Sequence, residues 1–456
     1  MWSFIVSIFF LFSAPDSTEL SYLYFGNTNL LGVGEIVNGK KEGLWKVYYS
    51  NNPLDNPQPN LLRANRKVFE EKFTPERVVF QINFKADLPE GLYQENYPSG
   101  EIKSITFYVD GKQNGDFREF YKNGELKAQG AYLEGKREGT WEEFYENGVT
   151  KIEVNYKEGL MQGNALGYYP DGKARWEIPY QNGELDGNYR LFFENGNLQE
   201  RGAYSGGIPN GLLEEFDENG KLTVRGNFLN GKPEGEWISY DKNGELDFKG
   251  HFKEGLPSGE WTERVDIVSG FYRKGNYVDG LKEGEWILVD ESEETSQIEM
   301  FEAGELVSVG PFLVGENELN GGKLRKGTGQ RIFYDSEGHI IAKGKYSKGI
   351  PKGDWYFYFP KSDRVTAAGR MVGTDRIGLW NFYSYEGEII DQQDYIPDYS
   401  NSSNPAINSR GATTNRNMRS MGYNTNPNGS VDALRSAQES MFRTQNNMNG
   451  SFLLRN

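Results

Sequence analysis

The chain of 456 residues contains no cysteine. That excludes disulfides, thiolate nucleophiles, Cys-ligated zinc and lipid attachment through an N-terminal Cys. There are only two histidines, His251 and His339. A His-rich metal site cannot be assembled from them, and a Ser-His-Asp triad would have to use one of the two, neither with a local signature. Positive charge is also scarce: 50 Lys and Arg stand against 66 Asp and Glu, a net −16. A phosphate-tracking nucleic-acid face and attraction to anionic lipid both require the opposite balance. Long apolar runs are missing, with one exception. Residues 2-WSFIVSIFFLFSA-14 form a run of thirteen, short of the roughly 20 that span a bilayer. The run fits the apolar core of a secretory signal peptide ended by Pro15-Asp16-Ser17, although no Lys or Arg precedes it. A buried N-terminal strand, or a start codon assigned in the wrong place, is the alternative reading. The expectation is a signal peptide over residues 1–18 and a secreted or periplasmic protein of the cell envelope.

What is abundant is glycine, at 56 residues, and aromatic side chains, at 14%. Both keep time. Glycines 91, 115, 139, 163, 187, 211, 235 and 259 are separated by intervals of 24. An aromatic residue stands seven positions before the next opening Gly, as at Tyr108, Tyr132, Tyr156 and Phe252. Two positions after the opening Gly comes a Trp, Tyr or Phe, with Ala165 and Leu213 as exceptions. So many matched offsets make internal repetition the first fact about the chain.

Each unit reads as two short strands. In 220-GKLTVRGNF-228 polar and apolar residues alternate, as in a half-buried strand. The partner runs from the opening Gly through the aromatic cluster, as in 139-GTWEEFY-145. Asn-Gly between them predicts a type I′ turn, and the six-residue link to the next unit is too short for a crossover helix. The expected fold class is all-β, an elongated antiparallel β-meander: a solenoid-like array of about fifteen hairpin repeats. Weak copies are expected over residues 19–90, regular ones over 91–283 and copies with insertions over 284–394. Residues 53–66 read as a loop, and the acidic run 290-DESEETSQIE-299 as most of one solvated insertion. Residues 395–456 read as a disordered polar tail with six Arg against Asp398, Asp432 and Glu439, and a possible short helix over 431–443.

Residues 115 to 138, GDFREFYKNGELKAQGAYLEGKRE, closely resemble the MORN repeat in its longer bacterial variant. The resemblance covers roughly residues 20 to 394. It implies a hairpin array used for protein interaction or spacing, and for some bacterial members an antitoxin role.

No catalytic constellation is visible, and no cofactor or metal is expected. The glycine-rich 322-GKLRKGTG-329 lacks the Lys-Ser/Thr ending of a phosphate loop. The acidic run lacks the ordered spacing of a calcium loop. The residues with functional reach are the rings. On one reading they are the core of the sheet. On the other, Trp141, Trp237, Trp261, Trp286, Trp355 and Trp380 form an exposed interaction surface. The expected function is therefore a non-enzymatic, exported scaffold with a protein partner, with no nucleic acid and no stable membrane span. The alternatives are a polysaccharide binder with exposed aromatic ladders and an antitoxin-type binder of a toxin. Mass spectrometry of the protein from its host is expected to find a mature N-terminus near Glu19; recovery from the cytoplasm with Met1 intact would contradict export.

Overall fold

The structure, a computed structural model, describes residues 20–24, 30–49, 78–268 and 270–395. The expected signal peptide, the loop at 53–66 and, from residue 396 on, the polar tail with its helix lie outside these residues; Tyr395, expected as the first tail residue, instead ends a strand. The chain divides into two units, one ending at Ile208 and the other beginning at Pro209. Among the described residues every regular element is a strand. In the first unit successive strands pair antiparallel with their neighbours, as Leu126–Leu133, Lys136–Phe144 and Thr150–Lys157 do. The second unit continues the same plan through Asn317–Leu319. It then forms a separate seven-stranded sheet from Gly322–Arg325 to Ile389–Tyr395. The meander is as expected, and the weak N-terminal copies keep its register: Gly43 pairs with Phe84 as Gly91 pairs with Tyr108.

The two turns of each unit are the reverse of the expected assignment. Leu133 pairs with Lys136, leaving Glu134 and Gly135 as a two-residue loop. Both have positive φ, 50° and 82°, so the type I′ turn sits in the linker. At Asn123-Gly124 only the Gly is left-handed. The Gly124 N–H donates to the Tyr121 carbonyl at 3.0 Å, and the Tyr121 N–H to that of Glu125 at 2.8 Å. That is a type I turn with the Gly in a bulge, and the Asn123 Oδ1 accepts the Glu125 N–H. Asn-Gly suits either turn; the number of residues between closing pairs decides.

A non-Gly residue in the left-handed region is strained. At the linker turns from Ala86-Asp87 onward the preceding repeat supplies hydrogen bonds. The Gly135 N–H donates to the Gln113 carbonyl at 2.7 Å and that of Gly159 to Arg137 at 2.9 Å. The residue just before an opening Gly reaches the first turn position: Glu90 Oε2 accepts from the Asp110 N–H, Glu138 Oε2 from Glu158 and Glu234 Oε2 from Glu254. Even the glycine-free turn Ala86-Asp87 is held this way, by Glu42 Oε2 and the Lys41 carbonyl.

The core is an indole laid on a glycine. Opposite Gly250 the partner strand bulges, and pairing shifts between Gly250 and His251. The Trp261 indole fills the space so closely that a Cβ on Gly250 would lie 2.2 Å from its ring. Its Nε1–H donates to the His251 carbonyl at 3.0 Å. Trp45, Trp141, Trp237, Trp286 and Trp380 make the same bond to the residue ten before them. Rings from adjacent strands pack on its edges, with Phe252 at 5.1 Å and Tyr277 at 5.1 Å from Trp261.

The Ala165 exception is filled from the next strand. Trp176 lies over Gly167, the residue it pairs with, and Ala165 is buried beside Ile178. Removal of the indole by Trp261→Ala is expected to cost about 3–5 kcal/mol. Gly250→Ala is expected to cost about 1–3 kcal/mol in the native chain by overpacking. It should cost a small fraction of that in the Trp261→Ala background, as read from a urea-unfolding double-mutant cycle.

Candidate interaction surface

The six tryptophans expected at an interaction surface are not at one. Trp141, Trp237, Trp261, Trp286, Trp355 and Trp380 are all at most 4% exposed. Of the two readings of the rings, the core reading holds, because glycine leaves an indole-sized hollow on the inner face and the neighbouring strands close it.

Ring surface is instead found at the position after the strand, six residues past the opening Gly. Tyr97, Tyr121, Tyr145 and Tyr169 stand there in the first unit, all half-buried. Each hydroxyl donates to the carbonyl 23 residues later: Tyr97 to Phe120 at 2.8 Å, Tyr121 to Phe144 at 2.7 Å, Tyr145 to Tyr168 at 2.8 Å and Tyr169 to Phe192 at 2.7 Å. Burial raises the pKa of Tyr121, Tyr145 and Tyr169, which keeps them donors. Successive rings are two strands apart, roughly 10 Å. Lys122 lies over Tyr97, Lys127 over Tyr121 and Arg175 over Tyr169. In the second unit Asp217, Asp241 and Asp335 take this place, each accepting two N–H groups of its own turn. The sequence carried the signal in the aromatic pairs Phe144-Tyr145 and Tyr168-Tyr169, but bulk drew the choice to Trp.

The outer face carries mixed charge. Gln129 Nε2 donates to Glu142 at 2.6 Å, Thr140 to Asn155 at 2.8 Å, and Arg190 pairs with Glu177 at 2.6 Å. His251 is exposed on its strand. The His339 N–H is taken by Asp335 Oδ1 at 2.8 Å. Toward the end of the second unit, Tyr356, Tyr383 and Tyr385 line an open cleft of about 360 Å³ with Arg364 and Glu386. The Arg364 guanidinium lies 4.5 Å from the Tyr385 ring centroid. Among the described residues no three His, Asp or Glu converge as metal ligands, and no helix is long and apolar enough to cross a membrane.

The acidic run 290–299 differs from expectation. Residues 291–294 make a tight turn, and Thr295–Glu302 is a strand that turns Thr295, Gln297 and Glu299 inward, each at most 1% exposed. Residues 316–326, which the sequence reads as a second insertion, likewise hold two short strands, Asn317–Leu319 and Gly322–Arg325. Glu299 stands where most repeats have the glycine, opposite Trp286. Arg331 stands two residues after the opening Gly329, in the tryptophan position. The two form a fully buried ion pair. Arg273 adds a second guanidinium to Glu299 at 2.7 Å, and Gln297 Oε1 accepts from Arg331 at 2.7 Å. Beside them Lys282 pairs with Glu263, which also accepts from the Tyr277 hydroxyl. Burial pushes the Glu299 carboxyl up, but Arg273 and Arg331 more than offset it and hold its pKa at about 2. Burial lowers the pKa of Lys282, only partly opposed by Glu263.

Six segments match the family described as MORN repeat variant: residues 89–110, 113–134, 137–158, 185–205, 209–230 and 233–254. The gap in the series contains the copy with Ala165 in the tryptophan position. No curated protein matches the chain. Among solved structures the chain is similar to a GtfA/B complex bound to UDP and GlcNAc, at 11% identity over 27% of this chain and 24% of that one, with a TM-score of 0.14. It is similar to TcdB2-TccC3-TEV at 9% identity over 73% and 19%, TM-score 0.12. It is also similar to the Photorhabdus luminescens Tc holotoxin pore at 11% identity over 73% and 20%, TM-score 0.11. The chain thus spans about a fifth to a quarter of the length of these proteins, and scores of this size carry no statement about its activity.

The depressed Glu299 pKa fixes a sign. Its stabilisation is present above the unfolded value near 4.5 and is lost as pH falls toward 2. Glu299→Gln is expected to cost on the order of 3–5 kcal/mol at pH 7, because Arg273 and Arg331 are left uncompensated. Acid titration of stability, followed by tryptophan fluorescence, should show the difference between variant and native chain shrinking below pH about 4.5.

Proposed function

We propose that this MORN-like repeat protein is a non-enzymatic scaffold that binds a partner protein, and that it is exported to the envelope or exterior of a bacterium. The observation that supports binding is the division of labour within each repeat. Indoles, linker turns and tyrosine hydroxyls are engaged with neighbouring repeats, while the outer face presents mixed charge and half-buried tyrosine edges. Such a surface offers many weak polar contacts and ring anchors, the composition of a protein-binding face. The apolar run of residues 2–14 favours export.

A second reading, saccharide binding, draws on the Tyr356–Tyr383–Tyr385 cleft, whose rings and flanking Arg364 and Glu386 suit a polyhydroxyl ligand. Cross-linked pull-down from the exported fraction is expected to recover one specific protein, with no saturable binding on a glycan array. Saturable glycan binding that drops at least tenfold in Tyr383→Ala or Tyr385→Ala would instead support the second reading. Recovery from the cytoplasm in complex with a toxin would replace the exported scaffold with an antitoxin.

A further inference from the structure

The last described strand, Ile389–Tyr395, pairs with Asp375–Tyr383 and, among the described residues, with nothing on its other side. Its inner face departs from the repeat. Tyr395 is the ladder ring, 6.4 Å from Trp380. Two residues before the ladder ring the equivalent strands of this sheet carry Gly344 and Gly369, and four before it Ala342 and Ala367. Here those places hold Gln393 and Asp391, both exposed. They form one polar row: Arg376 donates to the Tyr395 hydroxyl at 3.1 Å, that hydroxyl to Gln393 Oε1 at 2.7 Å, and Gln393 Nε2 to Asp391 Oδ2 at 2.8 Å. The row ends on a carboxylate with no ion pair among the described residues.

The chain contains its own precedent for this pair. In Thr295–Glu302 the same two places, four and two residues before the ladder ring Phe301, hold an amide and an acid in the opposite order, Gln297 and Glu299. What they receive is the guanidinium of Arg331, on the strand Thr328–Tyr334 of the other sheet, which does not pair with Thr295–Glu302; it donates to Gln297 Oε1 and pairs with Glu299. Apart from Thr328–Tyr334, where Arg331 itself stands, the tryptophan position of this sheet is filled by Trp355 and Trp380. A guanidinium is planar and multidentate, and it matches a carboxylate beside an amide oxygen. An unpaired strand edge also supplies free N–H and C=O groups in register for an added strand.

We infer that the open edge of Ile389–Tyr395 is a docking site for an extended, arginine-bearing strand of a partner protein, whose guanidinium meets Asp391 and Gln393 as Arg331 meets Glu299 and Gln297. The inference rests on the protein-binding reading above and names the edge and the partner's chemistry. It is tested by panning a displayed random heptapeptide library against the full-length chain. Enrichment of peptides with an arginine amid alternating β-branched residues is expected. A selected peptide should bind at least tenfold more weakly to Asp391→Asn, which removes the charge, and to Gln392→Pro, which disables the edge; both sites are exposed, and circular dichroism checks that the fold persists. Absence of arginine among the enriched peptides, or equal binding to both variants, would overturn the assignment. So would a tenfold gain in binding when Arg410, Arg416 and Arg419 of the full chain are replaced by Ala, since the chain's own C-terminal segment would then be the occupant. A failed panning with a partner still captured by pull-down removes only this edge. A successful one without a captured partner leaves the edge standing and removes the pull-down result.

Discussion

The array depends on the fit of one large ring into the hollow left by one missing side chain. Where a strand supplies Gly130, Gly226, Gly250, Gly275, Gly344 or Gly369, the chain supplies a tryptophan eleven residues later. Where it supplies Ile82, Thr106, Val154 or Ile178, the later residue is Tyr93, Phe117, Ala165 or Tyr189. Volume is conserved across neighbouring strands, as close packing demands. Each repeat therefore completes its core with atoms of the next. The stability of the array resides in these interfaces, and no single hairpin holds a core of its own.

The Glu299–Arg331 pair marks where that fit is abandoned. An ion pair in place of an indole on a glycine gives up apolar burial and desolvates two charges, which Arg273 and Gln297 then satisfy. The exchange falls where the first run of strands in the second unit gives way to the separate seven-stranded sheet. A guanidinium reaches farther than a ring and bonds in several directions, so it bridges elements that do not continue one ladder.

With indoles inside and the linker turns bonded to the preceding repeat, the side chains left facing water lie at edges and on the outer face. Tyrosine hydroxyls tie one repeat to the next and leave part of each ring at the surface. At three turns of the second unit Asp217, Asp241 and Asp335 take that place and cap the turn with a carboxylate instead of a ring.

The sequence by itself determined the period, the antiparallel order and the offsets of the ring ladder, because glycines and aromatics recur at fixed distances and short links forbid a crossover. It also held the tryptophan–glycine pairing at eleven residues, legible once both positions are compared. Tertiary structure decided the rest. Which turn is type I′ depended on the closing pairs around Glu134-Gly135, since Asn-Gly satisfies two geometries. Whether tryptophans faced water depended on what closed over them, and the facing glycine with its bulged strand buried them. The acidic run hid its role because Glu299 finds its guanidiniums at Arg273 and Arg331, 26 and 32 residues away. Alternation gives a side chain its face, but only the folded sheet gives it a neighbour.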